Sequence, residues 1–176
     1  QNHGIPRQLA GVSVNVSAVQ FNQDDFVGVL LGVISEAGAN PELLAIELTE
    51  STLIRNKETA ISKMTALRSH GIEVAIDDFG TGFSSLSYLS RLPVRTIKID
   101  QAFVRRIDSD AGNRAIVETI VALGRTLGMQ LIAEGVETPE EQACLAAIGC
   151  NHYQGFLFSQ AVSLEDFLKQ WTTSAD

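Results

Sequence analysis

The sequence is poor in cysteine, in basic residues and in long apolar runs. Cysteine occurs only at Cys144 and Cys150 in 176 residues, which is too few for a disulfide framework and favours a reducing, cytoplasmic location. Thirteen Lys and Arg face 21 Asp and Glu, so the net charge is −8 and no broad basic surface is available to DNA, RNA or anionic lipid. No apolar run is long enough to cross a bilayer. The composition therefore argues against a disulfide-rich scaffold, a nucleic-acid binder and a membrane span.

Strand and helix patterns alternate along the chain from Ala10 onward. Apolar residues switch repeatedly between the spacing of two that is typical of strands and the spacing of 3.6 that is typical of helices. The predicted strands are Ala10–Val16, Leu44–Leu48, Ile72–Asp77, Arg95–Ile99, Gln130–Glu134 and His152–Phe158. Repeated β-then-α units predict a parallel sheet with helices outside it, either as a (β/α) barrel or as a doubly wound sheet.

Polar side chains interrupt these apolar strands near their C-terminal ends. Five predicted strands each have one such residue: Asn15, Glu47, Asp77, Lys98 and Glu134. Ionisable groups inside buried parallel strands are costly unless they are paired or bind a metal ion. In (β/α) barrels the catalytic groups collect at the C-terminal rim of the strands. The sequence therefore predicts an α/β protein of the TIM-type (β/α)-barrel class, with its site at this rim.

The predicted rim is rich in hard oxygen ligands. Glu47, Glu134 and the adjacent pair Asp77 and Asp78 supply carboxylates, and Asn15 adds a carbonyl oxygen. This set suits Mg²⁺ or Mn²⁺ rather than zinc, and the adjacent pair can serve two ions. The lysine among them can hold an attacking water or a developing negative charge. Divalent cations would allow an acidic protein to accept a phosphodiester.

Several of the candidate residues also have simpler structural interpretations. Lys98 can neutralise Asp100, which lies two residues further along the same strand face. Glu50 can favour the N-terminus of a helix, or it can anchor a loop. Glu137 can precede the helix cap at Thr138 instead of contacting a ligand. These structural roles do not exclude the chemical ones.

A series of sequence blocks resembles the EAL-domain cyclic-di-GMP phosphodiesterases, in the order that this family has them. The blocks are Val14–Ser17, Glu47–Ser51, Asp77–Leu86, Leu92–Val94, Lys98–Asp100, Ala133–Thr138 and Gln154–Ser159. The match extends over nearly the whole chain. It implies a modified (β/α) barrel in which a divalent-metal-activated water opens one phosphodiester of cyclic di-GMP, giving linear pGpG.

The resemblance also implies a role for each matching residue. Two ions, Mg²⁺ or Mn²⁺, would be bound by Asn15, Glu47, Asp77 and Asp78, with Asp77 shared between them. Lys98 would orient the nucleophilic water, Glu134 would position or deprotonate it, and Asp100 would support this group. Glu50 would anchor the loop that begins at Asp78 and that couples metal binding to dimerisation. The substrate guanine or its neighbouring phosphate would be contacted by Glu137, Gln154 and Phe156.

Part of the family pattern is missing. No Glu-Ala-Leu tripeptide occurs in the sequence, although the family uses that Glu as a metal ligand and a following Arg as a phosphate clamp. An eight-unit barrel needs about 250 residues, so 176 residues fall short by roughly two βα units. We therefore expect residues 1–176 to form a partial EAL domain, N-terminally truncated to about six βα units, with no second domain and with weakened or no activity alone. Open sheet edges would favour a homodimer or a strand-exchanged assembly.

Two other functions remain open from the sequence. A binding or regulatory module could sense cyclic di-GMP without hydrolysing it, because guanine-contacting residues are present while catalytic groups are missing. A barrel lysine such as Lys98 could instead form a Schiff base, as in aldolases. The carboxylates around Lys98 argue for a charged ammonium, which is a poor imine former.

Overall fold

In a computed structural model the chain folds around one parallel sheet. The residues described are 11–53, 56–82 and 86–172. Their strands are β1 (Val12–Asn15), β2 (Leu44–Thr49), β3 (Glu73–Phe79), β4 (Thr96–Ile99) and β5 (Gln130–Ala133). Each strand pairs in parallel with the next one in sequence, in the order β1-β2-β3-β4-β5. A doubly wound sheet reverses its strand order, so this uninterrupted order is that of a (β/α) barrel and the predicted fold class is confirmed.

Helices occupy the connections between the strands. They are α1 (Ala18–Phe21), α2 (Phe26–Ala37), α3 (Lys57–Ser69), α4 (Leu86–Leu89), α5 (Gln101–Val104), α6 (Ala111–Leu127), α7 (Pro139–Ile148) and α8 (Leu164–Thr172), with 3-10 turns at Pro41–Leu43 and Glu50–Leu53. The helix cap predicted at Thr138 is confirmed and forms a capping box, because the Glu141 amide donates to the Thr138 hydroxyl and the Thr138 amide donates to the Glu141 carboxylate, each at 3.2 Å. Across the described ranges, no helix combines the length and apolar character needed to cross a membrane.

The core lies between the sheet and its outer helices. All four residues of β4 are buried, and Ile97 and Ile99 are fully inaccessible to solvent. Met64 of α3 and Val117 of α6 pack into the same cluster. Lys98 therefore lies between two buried isoleucines on an interior strand of the sheet, where an uncompensated charge would be strongly unfavourable.

The predicted strand His152–Phe158 is wrong. Tyr153 makes only an isolated parallel bridge to Ala133, and beyond Gln154 the chain turns, with the Phe158 amide donating to the Gly155 carbonyl at 3.1 Å. A Cβ at Gly155 would collide with the backbone of Val136. This close approach of two backbones replaces a regular strand, so the described residues form five strands rather than six.

Some sequence predictions fall outside the described part of the chain. These are the start of the first predicted strand at Ala10 and the residues Phe83, Ser84 and Ser85 of the Asp77–Leu86 block. The remaining strand predictions are each confirmed to within two residues at either end.

Candidate active site

Three carboxylates surround the ammonium of Lys98 at the C-terminal end of the sheet. The Lys98 Nζ lies 2.6 Å from Glu47 Oε2, 2.7 Å from Glu134 Oε1 and 3.2 Å from Asp77 Oδ1. Glu47 lies on β2, Asp77 on β3 and Lys98 on β4, while Glu134 directly follows β5. Lys98 is only 3% exposed. The structure therefore brings these four predicted residues together in a nearly buried ionic cluster.

The electrostatics of this cluster keep Lys98 charged and raise the pKa of Glu134. Burial by itself would lower the pKa of the Lys98 ammonium, but the hydrogen bonds and charges of Glu134 and Glu47 raise that pKa above its ordinary value. Burial raises the pKa of Glu134 to about 7, although Lys98 acts in the opposite direction. A charged Lys98 cannot attack a carbonyl, which argues against the Schiff-base alternative.

Asn15 lies beside the cluster, opposite Glu47 in the β1–β2 register. With its amide nitrogen directed inward, Asn15 donates to Glu47 Oε2 and to Asp77 Oδ2, both at 3.2 Å. With its amide oxygen directed inward, the same geometry brings three oxygen atoms from separate strands together. That second arrangement is the one that a bound cation favours.

The donor set of this rim fits divalent cations. One ligand oxygen each from Asp77, Asp78 and Glu134 can be chosen so that the three lie within 4.8 Å of one another. Asp77 Oδ1 is buried and has no hydrogen-bond partner within the described residues, although it faces the Lys98 ammonium. A buried carboxylate oxygen without a hydrogen bond is rare in proteins. An oxygen-seeking cation would satisfy it, so these residues meet the requirements of a Mg²⁺ or Mn²⁺ site.

A local irregularity of β3 directs its two adjacent carboxylates differently. The register between β3 and β4 shifts between Ile76 and Phe79, and Asp78 has a positive φ of 53°. Such a conformation is uncommon for a residue other than glycine and tends to occur at functional sites. Burial, followed by the negative charges of Asp77 and Asp100, raises the pKa of Asp78. Asp100 also caps α5, since its carboxylate accepts from the Ala102 amide at 2.6 Å.

Glu50 holds the loop that follows β3. Its carboxylate is almost fully buried and accepts from the Gly80 amide at 3.3 Å and from the Gly82 amide at 3.1 Å. A Cβ at Gly82 would come within 2.8 Å of this carboxylate, so the absence of a side chain there permits the contact. The geometry supports the predicted loop-anchoring role.

A pocket of about 250 Å³ opens next to the ionic cluster. Its lining includes the three predicted substrate-contacting residues Glu137, Gln154 and Phe156, together with Asp78 and Glu134. The Phe156 ring is 65% exposed. Phe156 was predicted within a strand, but it lies in the turn that replaces that strand, which presents its ring to the pocket.

One pocket residue and one partner of a pocket residue were missed from the sequence. Gln101 lines the pocket, and Arg105 forms an ion pair with Glu137 at 3.3 Å. Gln101 begins α5 directly after the Lys98–Asp100 block, and Arg105 is the C-cap residue that ends this helix. The rule that C-terminal strand ends carry the site could have been extended by one helical turn to find them.

Residues 1–161 match the EAL domain family. The chain belongs to this family. It is 41% identical over 157 residues to the Pseudomonas aeruginosa protein named bifunctional diguanylate cyclase/cyclic di-GMP phosphodiesterase MucR, covering 89% of the chain and 23% of MucR. It is 42% identical over 167 residues to the Escherichia coli protein named cyclic di-GMP phosphodiesterase PdeR, covering 93% of the chain and 25% of PdeR. The chain thus spans about a quarter of the length of either relative.

Solved structures of EAL proteins show the same fold. The chain is similar to the MucR phosphodiesterase in complex with c-di-GMP, with a TM-score of 0.86 and 41% identity over 89% of the chain and 64% of that structure. It is also similar to Klebsiella pneumoniae BlrP1 in a manganese/c-di-GMP complex, with a TM-score of 0.79 and 37% identity over 88% of the chain and 40% of that structure. Both structural similarities extend over most of this chain.

Glu50→Ala should disorder the loop after β3. The substitution removes the acceptor of two loop amides, and we expect the free energy of unfolding to fall by about 1–3 kcal/mol. Amide hydrogen exchange should accelerate at Gly80 and Gly82. The control Glu58→Ala removes a carboxylate whose ion pair with Arg91 is exposed, and its cost should be about 0.5 kcal/mol or less. Unchanged exchange at both glycines in Glu50→Ala would show that the anchor is unimportant.

Lys98→Met should destabilise the protein by about 3–5 kcal/mol, because it leaves buried carboxylates without a counter-charge. The loss should grow from pH 6 to pH 8. A carboxyl with a raised pKa keeps a proton in the native state that the unfolded chain has already released. The free energy of unfolding therefore falls as the pH rises toward that pKa. Removing Lys98 raises the pKa of Glu134 further above the wild-type value of about 7.

Urea unfolding at both pH values measures this effect. The control Lys57→Met removes an exposed ammonium that lies 5.0 Å from the centre of the Tyr88 ring, and its small effect should not depend on pH. An equal loss at both pH values for Lys98→Met would contradict the predicted coupling to Glu134.

Proposed function

We propose that the chain is part of a cyclic-di-GMP phosphodiesterase that hydrolyses cyclic di-GMP to linear pGpG with two divalent cations. The main support is the convergence of carboxylates from neighbouring strands around Lys98, beside a pocket with an exposed aromatic ring. Membership of the EAL family and the printed names of MucR and PdeR support the same substrate. The c-di-GMP complexes of MucR and BlrP1 agree with it.

Asn15, Glu47 and Asp77 would hold one cation, and Asp77 would share a second with Asp78. When bound, these ions would polarise the phosphoryl oxygens and offset the negative charge of the protein and its substrate. Mg²⁺ and Mn²⁺ both suit the oxygen ligands. The manganese and calcium complexes of BlrP1 support a divalent metal without selecting between them.

The remaining side chains of the rim would carry out the proton and charge steps. Lys98, charged and rigidly held, donates hydrogen bonds that orient the attacking water. Glu134 takes a proton from this water, since a base is most effective when its pKa lies near the working pH. The water oxygen forms the new bond to phosphorus as the bond to the 3′ oxygen breaks, and that oxygen takes a proton from solvent. Asp100 acts indirectly by fixing Asp78.

The pocket would hold one guanine of the substrate. Phe156 offers an exposed ring on which a base can stack. Glu137 can accept hydrogen bonds from the N–H groups of guanine, and Gln154 can donate or accept. A neighbouring cation site would place the adjacent phosphate at the rim. A cytosolic location is part of this proposal, which the free thiols of Cys144 and Cys150 support.

A second candidate is a module that binds cyclic di-GMP without hydrolysing it. The base pocket is complete in its predicted residues, whereas the Glu-Ala-Leu tripeptide with its metal ligand does not occur in the sequence. Loss of one cation ligand slows hydrolysis more than it weakens binding of the base.

Incubation with cyclic di-GMP and Mn²⁺ separates these two candidates. We expect slow formation of pGpG, measured by chromatography, and a decrease of at least about a hundredfold in Glu47→Gln and Asp77→Asn. The control Glu73→Gln alters the opposite end of β3, where Glu73 forms an exposed ion pair with Arg95, and should retain activity. Calorimetric binding without product would support the regulatory module. Neither binding nor product would contradict both candidates.

We also propose that the chain assembles as a homodimer or by strand exchange. Within the described residues β1 pairs only with β2, and its Val12 and Val14 are 60% and 45% exposed. An open strand edge with exposed apolar side chains favours pairing with another chain. The interpretation as a partial domain stays a prediction.

Native mass spectrometry and light scattering test the assembly. We expect a dimer that Val14→Lys shifts toward monomer, because a charged edge strand resists pairing. The control Val29→Lys places the same charge on α2, away from the sheet edge, at a side chain that is 53% exposed. A stable monomer of the unmodified chain at high concentration would contradict the proposal.

A further inference from the structure

Glu141 lies in the first turn of α7 and is only 7% exposed, although it carries a charged group. A buried carboxylate requires hydrogen-bond donors, and three backbone amides supply them. Oε2 accepts from the Glu137 amide at 2.9 Å and from the Thr138 amide at 3.2 Å, while Oε1 accepts from the Arg106 amide at 3.1 Å. The capping box of α7 accounts only for the bond from Thr138. The other two bonds therefore serve a purpose beyond the helix cap.

These two further bonds reach the backbone on both sides of an ion pair at the pocket. Glu137 lines the pocket and pairs with Arg105 at 3.3 Å, and Arg106 directly follows Arg105 in the chain. One oxygen of Glu141 thus binds the amide of Glu137, and the other binds the amide next to Arg105. A single buried carboxylate joins the two chain segments whose side chains form the pair.

The backbone at Arg106 depends on such support. Arg106 has a φ of 59°, in the left-handed region that a residue other than glycine rarely adopts. A conformation of this kind persists where the surrounding contacts determine it. The Arg106 amide donates to Glu141, and the Arg106 carbonyl accepts from the Asp110 amide at 2.7 Å. The resulting turn directs the Arg105 side chain toward Glu137.

We propose that Glu141 is a positioning residue of the pocket: by holding the amides of Glu137 and Arg106, it presents the Glu137 carboxylate to a base with its Arg105 partner in place. This inference rests on the proposed function, in which Glu137 accepts hydrogen bonds from guanine. Without the bridge, the Glu137 side chain would become ordered only when the ligand binds, and this ordering would reduce the affinity. Glu141 is not one of the residues that line the described pocket, so it acts through Glu137.

Glu141→Gln separates this role from the helix cap. A glutamine has one acceptor oxygen, which can keep the bonds from Glu137 and Thr138, but its amino group then faces the Arg106 amide and that bond is lost. We expect the affinity of the full chain for cyclic di-GMP, measured by calorimetry with Mn²⁺, to fall by about three- to tenfold. The substitution also removes a negative charge, which by itself would strengthen binding of an anionic ligand. The expected change is therefore opposite in sign to a simple charge effect.

Two controls match this substitution. Glu140→Gln removes the same charge from an exposed side chain one residue earlier in α7, and it should not lower the affinity. Thr138→Ala removes the hydroxyl that accepts from the Glu141 amide but leaves the Glu141 carboxylate in place, so it weakens the helix cap alone and should also leave the affinity unchanged. A loss in either control as large as that in Glu141→Gln would overturn the positioning role. Thermal melting of each variant and chromatography of the ligand verify that both are intact.

A double-mutant cycle with Glu137→Ala tests the route of the effect. If Glu141 acts through the Glu137 carboxylate, Glu141→Gln should cause no further loss of nucleotide affinity in a chain that already has Glu137→Ala. The affinity for Mn²⁺ alone should stay unchanged in Glu141→Gln, because Glu141 is not one of the proposed cation ligands.

Three results would overturn the role of Glu141 while leaving the proposed function intact. They are an unchanged nucleotide affinity in Glu141→Gln, the same loss with and without Glu137→Ala, and an equal loss of affinity for Mn²⁺ alone. Failure of the wild-type chain to bind cyclic di-GMP would instead overturn the proposed function and this inference with it.

Discussion

The ion cluster around Lys98 is the interaction on which the rest of the site depends. One ammonium lies within 3.2 Å of three carboxylate oxygens from different residues. A single buried charge in this position would lose its proton or gain one, because desolvation opposes the ionised form. Three carboxylates around one ammonium keep the lysine charged and leave a surplus of negative charge. A bound divalent cation would offset that surplus, so the same cluster explains both the charged state of Lys98 and the fit of the rim to a cation.

The sheet meets this demand through its register. Parallel strands end at the same edge, and the successive pairing of β1 to β5 brings Asn15 opposite Glu47 and aligns Asp77 with the neighbouring strand. The register between β3 and β4 then shifts between Ile76 and Phe79, the segment that contains Asp77 and Asp78. Glu50 accepts from the Gly80 and Gly82 amides, so the loop that follows Asp77 and Asp78 is held to the segment after β2.

The strand-end residues could be predicted from the sequence because two simple constraints determine them. A polar residue in a buried strand needs a partner, and parallel strands bring such residues to one edge. These constraints located Asn15, Glu47, Asp77, Lys98 and Glu134, which the structure brings together.

The resemblance to EAL domains supplied Gln154 and Phe156, although the strand predicted for them was wrong. Alternating apolar residues cannot distinguish a strand from a turn when a close backbone contact, such as that of Gly155 with Val136, determines the conformation. Gln101 and Arg105 were missed because they follow the strand, where no apolar pattern marks a polar residue as unusual.

In the proposed function, the charge of the protein divides recognition of cyclic di-GMP between two kinds of group. An acidic chain with an acidic rim cannot attract phosphates through its own side chains, and Arg105, the basic residue nearest the base pocket that the structure shows in an ion pair, is engaged by Glu137. Under this proposal, phosphate binding would fall to the cations, which are not selective for the base. Selectivity between bases must come from neutral groups and from the geometry of acceptors. In the described pocket these are the carboxamides of Gln101 and Gln154, the Phe156 ring and the Glu137 carboxylate. A substitution among them would change which base is accepted while the phosphate chemistry stays the same, because the two sets of groups share no ligand atom.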